Sequence, residues 1–273
     1  MKKLMKLGLA AGMGLCLLAG CVPKSGGGAQ SSESVQASSQ GTSSTLPKIG
    51  VIQLVEHTSL NIIYDSFMEE LNALGYVDGK TAEISFQNAQ GDMANITSIV
   101  QGFDGNKQDV VVAITTPVAQ GAMALTSSTP VVFTAVTDPV SAGVVTDMEH
   151  PDKGMTGTSD AVQISQILDL ALQITPQVQS IGFIYNPGED NSVSNLALLQ
   201  DYAAAHELRV EESGISSSAE LQTAAASLFE KVDMIFVSND NTVAEAMPIL
   251  TSEAIKAKKP IYVGADSMVM DGG

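Results

Sequence analysis

The 273 residues predict an α/β protein made of two similar lobes, each built on a parallel sheet. Three observations carry this. From Lys48 onward, short apolar runs alternate with stretches of helical period, which implies parallel strands joined by right-handed crossovers with both sheet faces covered. The order then restarts: Ile181-Gly182-Phe183-Ile184-Tyr185 echoes Ile49-Gly50-Val51-Ile52-Gln53, and each run leads into a polar turn and a helix. Polar residues gather where strands turn into helices, the place where open parallel sheets bind ligands. One larger sheet is the alternative reading of the same pattern.

Ahead of the folded part stand Lys2, Lys3 and Lys6 and an apolar run from Leu7 to Leu18. This is the pattern of a secretory signal peptide, and it is shorter than the span of about 20 apolar residues that crosses a bilayer comfortably. Leu18-Ala19-Gly20-Cys21 closes the run and resembles a bacterial lipobox, so residues 1–20 are expected to be removed and Cys21 to carry lipid, palmitate included. Buried acyl chains contribute about 0.8 kcal/mol per methylene, enough for several chains to hold a domain at a bilayer. A plain secretory signal or an N-terminal membrane anchor is the alternative. Residues 21–46 are rich in Ser, Gly, Gln and Ala and read as a flexible tether. At about 5 to 6 Å times the square root of its length, such a segment reaches about 25 to 30 Å.

The formal net charge is −17, and removing a signal that holds three lysines makes it more negative. That argues against nucleic acid or anionic lipid surfaces as partners, since both need basic patches. Of the two cysteines, Cys16 falls in the signal and Cys21 is the lipid site, which leaves none for a disulfide in the folded part. About 225 residues follow the tether, room for two lobes of about 100 to 150 residues. The expected division is 47–160 and 161–263, with 264–273 as a return through a hinge.

In the first lobe, Ile49 to Leu54 reads as a buried strand. Leu60, Ile63, Phe67, Leu71 and Leu74 share one helix face, and Gly75 ends that helix. Strands follow at Thr81 to Phe86, Val110 to Ile114 and Val131 to Val136, with helices at Met93 to Phe103 and Pro117 to Leu125. In the second, strands are expected at 181–185, Leu208 to Glu212, Met234 to Val237 and Ile261 to Val263, with helices at Ala219 to Phe229 and Val243 to Lys256.

The strand-end turns hold the candidate ligand groups. Thr116 can cap a helix that starts with Pro117, leaving amides that include Gln120 to favour a carboxylate, although Thr-Pro capping is also ordinary helix chemistry. His57 lies in the turn Glu56-His57-Thr58-Ser59, and Asp138 and Pro139 build the turn after Thr137. Asn191 and Ser192 are plausible caps after the loop from Tyr185. Asp160, Asp240 and Asp266 are the acids best placed to neutralise a ligand ammonium. With no Trp, a stacking partner has to come from Tyr, Phe or His, and Phe133, Tyr185 and Phe236 sit in strands where core packing is expected.

Taken together, the lipobox, the Ser-rich tether, His57-Thr58-Ser59-Leu60, Thr115 to Gln120, Ala135 to Gly143, Tyr185 to Glu189 and Gly264 to Ser267 resemble one group of ABC-transporter substrate-binding lipoproteins of the type I periplasmic-binding-protein superfamily. The resemblance runs from Lys48 to Gly273. It implies two Rossmann-like lobes joined by a multi-strand hinge and closing on a ligand, with amino acids, aromatic ones such as tryptophan or phenylalanine prominent, as the ligands of similar proteins. By position it implies His57, Thr116, Pro117, Gln120, Thr137, Asp138, Asp160, Asn186, Glu189, Asn191, Ser192, Asp240 and Asp266 as cleft residues. It also implies a monomer that hands its ligand to an ABC permease and ATPase outside the cytoplasm, with no cofactor and no metal. Such proteins normally continue for some tens of residues past the final Gly-Gly, so the C-terminal part is expected to be truncated.

Two other classes share this scaffold. A sensor that delivers its ligand to a membrane receptor reads identically. An exported enzyme finds less support: His57, His150 and His206 are scattered, and the folded part has no His-Glu-x-x-His, Gly-x-Ser-x-Gly or phosphate-binding Gly-x-x-x-x-Gly-Lys pattern.

Overall fold

Two all-parallel sheets organise the computed structural model, which describes residues 45–273. The proposed signal, Cys21 and most of the tether lie outside those residues. The first sheet has five strands in the order β2-β1-β3-β4-β5: β1 is Lys48–Gln53, β2 Glu83–Asn88, β3 Val110–Ile114, β4 Val131–Val136 and β5 Met155–Ser159. The second has four in the order β7-β6-β8-β9: β6 is Ser180–Tyr185, β7 Arg209–Gly214, β8 Met234–Val237 and β9 Ile261–Val263. The helices are α1 Thr58–Ala73, α2 Met93–Asn106, α3 Thr116–Ala122, α4 Ile164–Ile174, α5 Asp190–Ala205, α6 Leu221–Phe229, α7 Asn241–Glu245, α8 Met247–Ala257 and α9 Asp266–Met270.

Each sheet has its own apolar packing. Around the first, Val51, Ile52, Ile114 and Phe133 are buried in one cluster. The second is covered on both faces: Ile181, Phe183 and Phe236 pack with Leu168 and Leu199, while Ile184 and Val237 pack with Leu221 and Leu250. Burying each such side chain contributes about 1.5 to 3 kcal/mol. The repeated Ile-Gly pair has a packing reason in both lobes. A Cβ on Gly50 would stand 2.6 Å from the Phe103 ring, and one on Gly182 would stand 2.8 Å from Leu228, so both glycines let a helix side chain close onto the central strand.

Four features depart from the expected order. Strand β5 and helix α4 fill the interval between Val136 and Ile181, where neither was anticipated. The helix expected over Val243 to Lys256 is two helices broken at Ala246, because Pro248 lacks an amide hydrogen and its ring clashes with the carbonyl four residues back. Residues 264–273, expected as a return through a hinge, hold α9, which packs beside the start of α1: Thr58 donates to Asp271 Oδ1 at 3.3 Å, and the Ser59 and Ser267 hydroxyls bond each other. Among the described residues the chain passes once from the first sheet to the second, at 160–163, where the resemblance implied several strands.

Candidate functional site

A cavity of about 400 Å³ opens where the carboxyl ends of both sheets meet. From the first sheet come Thr115 after β3, Thr134 and Ala135 on β4, and Thr158, Ser159 and Asp160 at the end of β5. The first turns of α1 add His57, Ser59, Leu60, Ile62 and Ile63. The second lobe supplies Asn191 of α5, Asn239 to Asn241 after β8, Ala244 of α7, and Gly264 to Met268 after β9. The volume falls in the range of about 300 to 1,000 Å³ usual for small-molecule sites.

The cavity floor carries backbone strain. Thr115 has φ +97° and Ala135 φ +55°, the left-handed side of the map that a β-branched residue rarely occupies. Such conformations cost about 1 to 3 kcal/mol each and gather at ligand sites. At Thr115 the strain sets a buried hydroxyl on the cavity lining with no hydrogen-bond partner.

Asn239 ties the two lobes together at the cavity edge. Its Nδ2 donates to Thr137 Oγ1 at 2.8 Å and to Asp160 Oδ2 at 3.0 Å, while its Oδ1 accepts from Asn195 at 2.8 Å. Burial pushes the Asp160 carboxyl above its ordinary range and the nearby Asp266 adds to this, against the opposing bond from Asn239. A second tie joins His57 Nε2 to Asn241 Oδ1 at 3.3 Å. Because Asn241 Nδ2 already donates to Glu189 Oε2 at 2.6 Å, its oxygen faces the imidazole and His57 is the donor. Burial lowers the His57 pKa, opposed by the Asn241 bond and by the charges of Glu189, Glu245 and Asp271.

Of the residues expected in the cleft, His57, Thr137, Asp160, Asn191, Asp240 and Asp266 line this cavity. The other seven lie elsewhere. Thr116 is buried, and its hydroxyl accepts from the Thr137 amide at 3.3 Å, so Thr115 takes the lining position expected of it. Pro117, Asn186 and Glu189 border a separate hollow of about 230 Å³. Asn186 also donates from its backbone to Asp240 Oδ2 at 2.7 Å. Gln120 donates across the lobes to Asp190 Oδ2 at 2.6 Å. Asp138 closes its own turn on Ser141 and Val140, and those bonds, the Ser141 hydroxyl first, hold its carboxyl below the usual range. Ser192 donates to Asp240 Oδ2 at 2.6 Å.

Asp240 lines the cavity with its acceptors already engaged, since Oδ2 takes Asn186 and Ser192 and Oδ1 takes the Val243 amide at 2.9 Å. Burial, then the neighbouring Glu189 charge, raises its pKa. Glu189 accepts from the Asn241 and Thr242 amides at 3.3 and 3.2 Å. The opening amides of α7 are thus filled by the protein's own carboxylates, and that helix start has nothing to offer a ligand carboxylate.

Sequence reasoning passed over Thr115, Thr158, Ser159, Asn239 and the apolar wall of Leu60, Ile63 and Met268. The Asn239 to Asn241 turn was visible, but the acid in it drew the choice. Phe133 and Phe236 are core residues as expected, and neither they nor Tyr185 reaches the cavity. Nor are the histidines brought together: His150 meets Asp147 on an exposed loop, and His206 stacks on Tyr202.

The sequence model of the ABC transporter substrate binding protein family matches residues 48–273. The chain belongs to this family. A tyrosine-binding protein of Clostridioides difficile is 40% identical over 271 residues, covering 99% of this chain and 77% of that one. A Streptococcus pneumonia ABC domain solved in complex with L-Trp is 37% identical and overlays with a TM-score of 0.80 across 84% of this chain and 77% of its own. A ligand-free, open substrate-binding protein of Clostridium difficile with adhesive properties is 40% identical but overlays at 0.58, across 82% and 76%. The fold is that of the type I periplasmic binding proteins.

Proposed function

We propose that this substrate-binding protein takes up an amino acid with an aromatic side chain in the interlobe cavity and delivers it to an ABC permease and its ATPase. The single observation that carries the reading is a cavity lined by both Asp160 and Asp266 and by apolar side chains, with no lysine or arginine among the described lining residues. The two acids hold the ammonium. The Thr115 hydroxyl, with those of Ser59, Thr158 and Ser159, receives the carboxylate. The ring lies on Leu60, Ile62, Ile63 and Met268 beside the His57 imidazole, the one aromatic group in that lining. The tyrosine- and L-Trp-binding relatives favour an aromatic ligand. The protein works as a monomer outside the cytoplasm, anchored through lipid on Cys21. Isothermal titration of the full chain against the L-amino acids tests the ligand class: heat with tyrosine or tryptophan is expected, and none with any amino acid rejects it.

A further inference from the structure

The charge inventory of the cavity is one-sided. Its ionisable side chains are Asp160, Asp240, Asp266 and His57, and no lysine or arginine stands among the described lining residues. Asp240 has its oxygens filled by Asn186, Ser192 and Val243, and a buried His57 resists taking up a proton. Asp160 gives one oxygen to Asn239 and Asp266 gives one to the Ser267 amide, which leaves each a second oxygen, and the two acids stand near enough to raise the cost of ionising Asp160. An ammonium relieves that repulsion. A carboxylate enters the same field with only neutral hydroxyls and amides to meet it.

A second feature points the same way. The Asn191 side chain is 3% exposed, lines the cavity, and leaves Oδ1 without a donor. Its orientation is set by its Nδ2, which faces Glu189 Oε2, Ser192 Oγ and the Asn239 carbonyl at 3.3 to 3.4 Å. The carboxamide oxygen is therefore an acceptor waiting for an N–H. An ammonium brings three such hydrogens and a carboxylate brings none. Leaving a buried acceptor unmet is the costlier error in binding, because its desolvation is lost without return.

We propose that the cavity binds primary arylalkylamines as well as the corresponding amino acids, the ammonium being the group it requires and the carboxylate the group it can lose. This rests on the cavity being the ligand site but not on amino acids being its ligand. The test is calorimetric titration of the full chain with L-tryptophan, tryptamine and indole-3-propionate, and with the matching tyrosine set. The amine is expected within about tenfold of the amino acid and the deaminated acid about a hundredfold weaker or worse, steps that the affinity scale resolves easily. An Asp160→Asn variant is expected to weaken the amine more than the deaminated acid. Amine binding without amino-acid binding supports the inference and overturns the amino-acid reading. Amino-acid binding with an amine no better than the deaminated acid overturns the inference and leaves that reading standing. If no ligand of either set binds, both fall.

Discussion

The two lobes share an architecture, and one cluster of strand-end polar residues in each uses its hydrogen-bonding capacity in opposite ways. In the second lobe Glu189, Asp240, Asn186 and Ser192 bond one another and the first turn of α7, so their hydrogen-bonding capacity is spent on holding the lobe together. In the first, Thr115 keeps an unpartnered hydroxyl and Asp160 meets only the reaching Asn239 of the other lobe. Position at the carboxyl end of a strand therefore makes a residue eligible for ligand binding. Local partners decide whether it is still available.

The largest expected effect breaks the structural half of this contrast. Asp240→Ala strands three donors in a buried turn, and the unfolding free energy should fall by about 3 to 5 kcal/mol, read from urea midpoints. Asp160→Asn should do the reverse, lowering ligand affinity about 10- to 100-fold while moving the urea midpoint little. Equal stability losses at the two positions would erase the distinction.

Titration sharpens the comparison, because one group in each lobe, His57 and Asp240, responds to acid with opposite sign. Burial lowers the His57 pKa from 6.5, so the unfolded chain takes up that proton first. Its contribution to stability is complete above 6.5 and is lost as pH falls below it, which His57→Gln should abolish in thermal melts across that range. Asp240 is shifted upward from 3.8, so the native state holds its proton longer and stability declines as pH rises above that value. The smallest effect belongs to Gln120→Ala. It removes an exposed interlobe bond to Asp190 and should change affinity by about two- to threefold, with stability nearly unchanged.

Much of the fold was legible because burial writes itself linearly into sequence. The continuous runs at Val110 to Ile114 and Met234 to Val237, and the repeated Ile-Gly pair, each mark a central strand closed over by a helix. Strand β5 was not legible: Met155–Ser159 lies at the sheet edge, only its first residue is buried, and Met-Thr-Gly-Thr-Ser shows no apolar alternation. The site was half legible for a related reason. Strand ends pointed to the right turns, but the partners that occupy Glu189 and Asn186 lie 52 to 56 residues away, beyond any local pattern. The choice between Thr115 and Thr116 turns on a positive φ that no capping preference encodes.

The most direct measurement of the central claim is a crystal structure of the full chain grown with L-tryptophan. The account predicts the ligand between the two sheets, its ammonium hydrogen-bonded to Asp160 or Asp266 and its ring on Leu60, Ile63 and Met268. An ammonium placed against Glu189 in the neighbouring hollow, or a ligand bound outside the interlobe cavity, would contradict it.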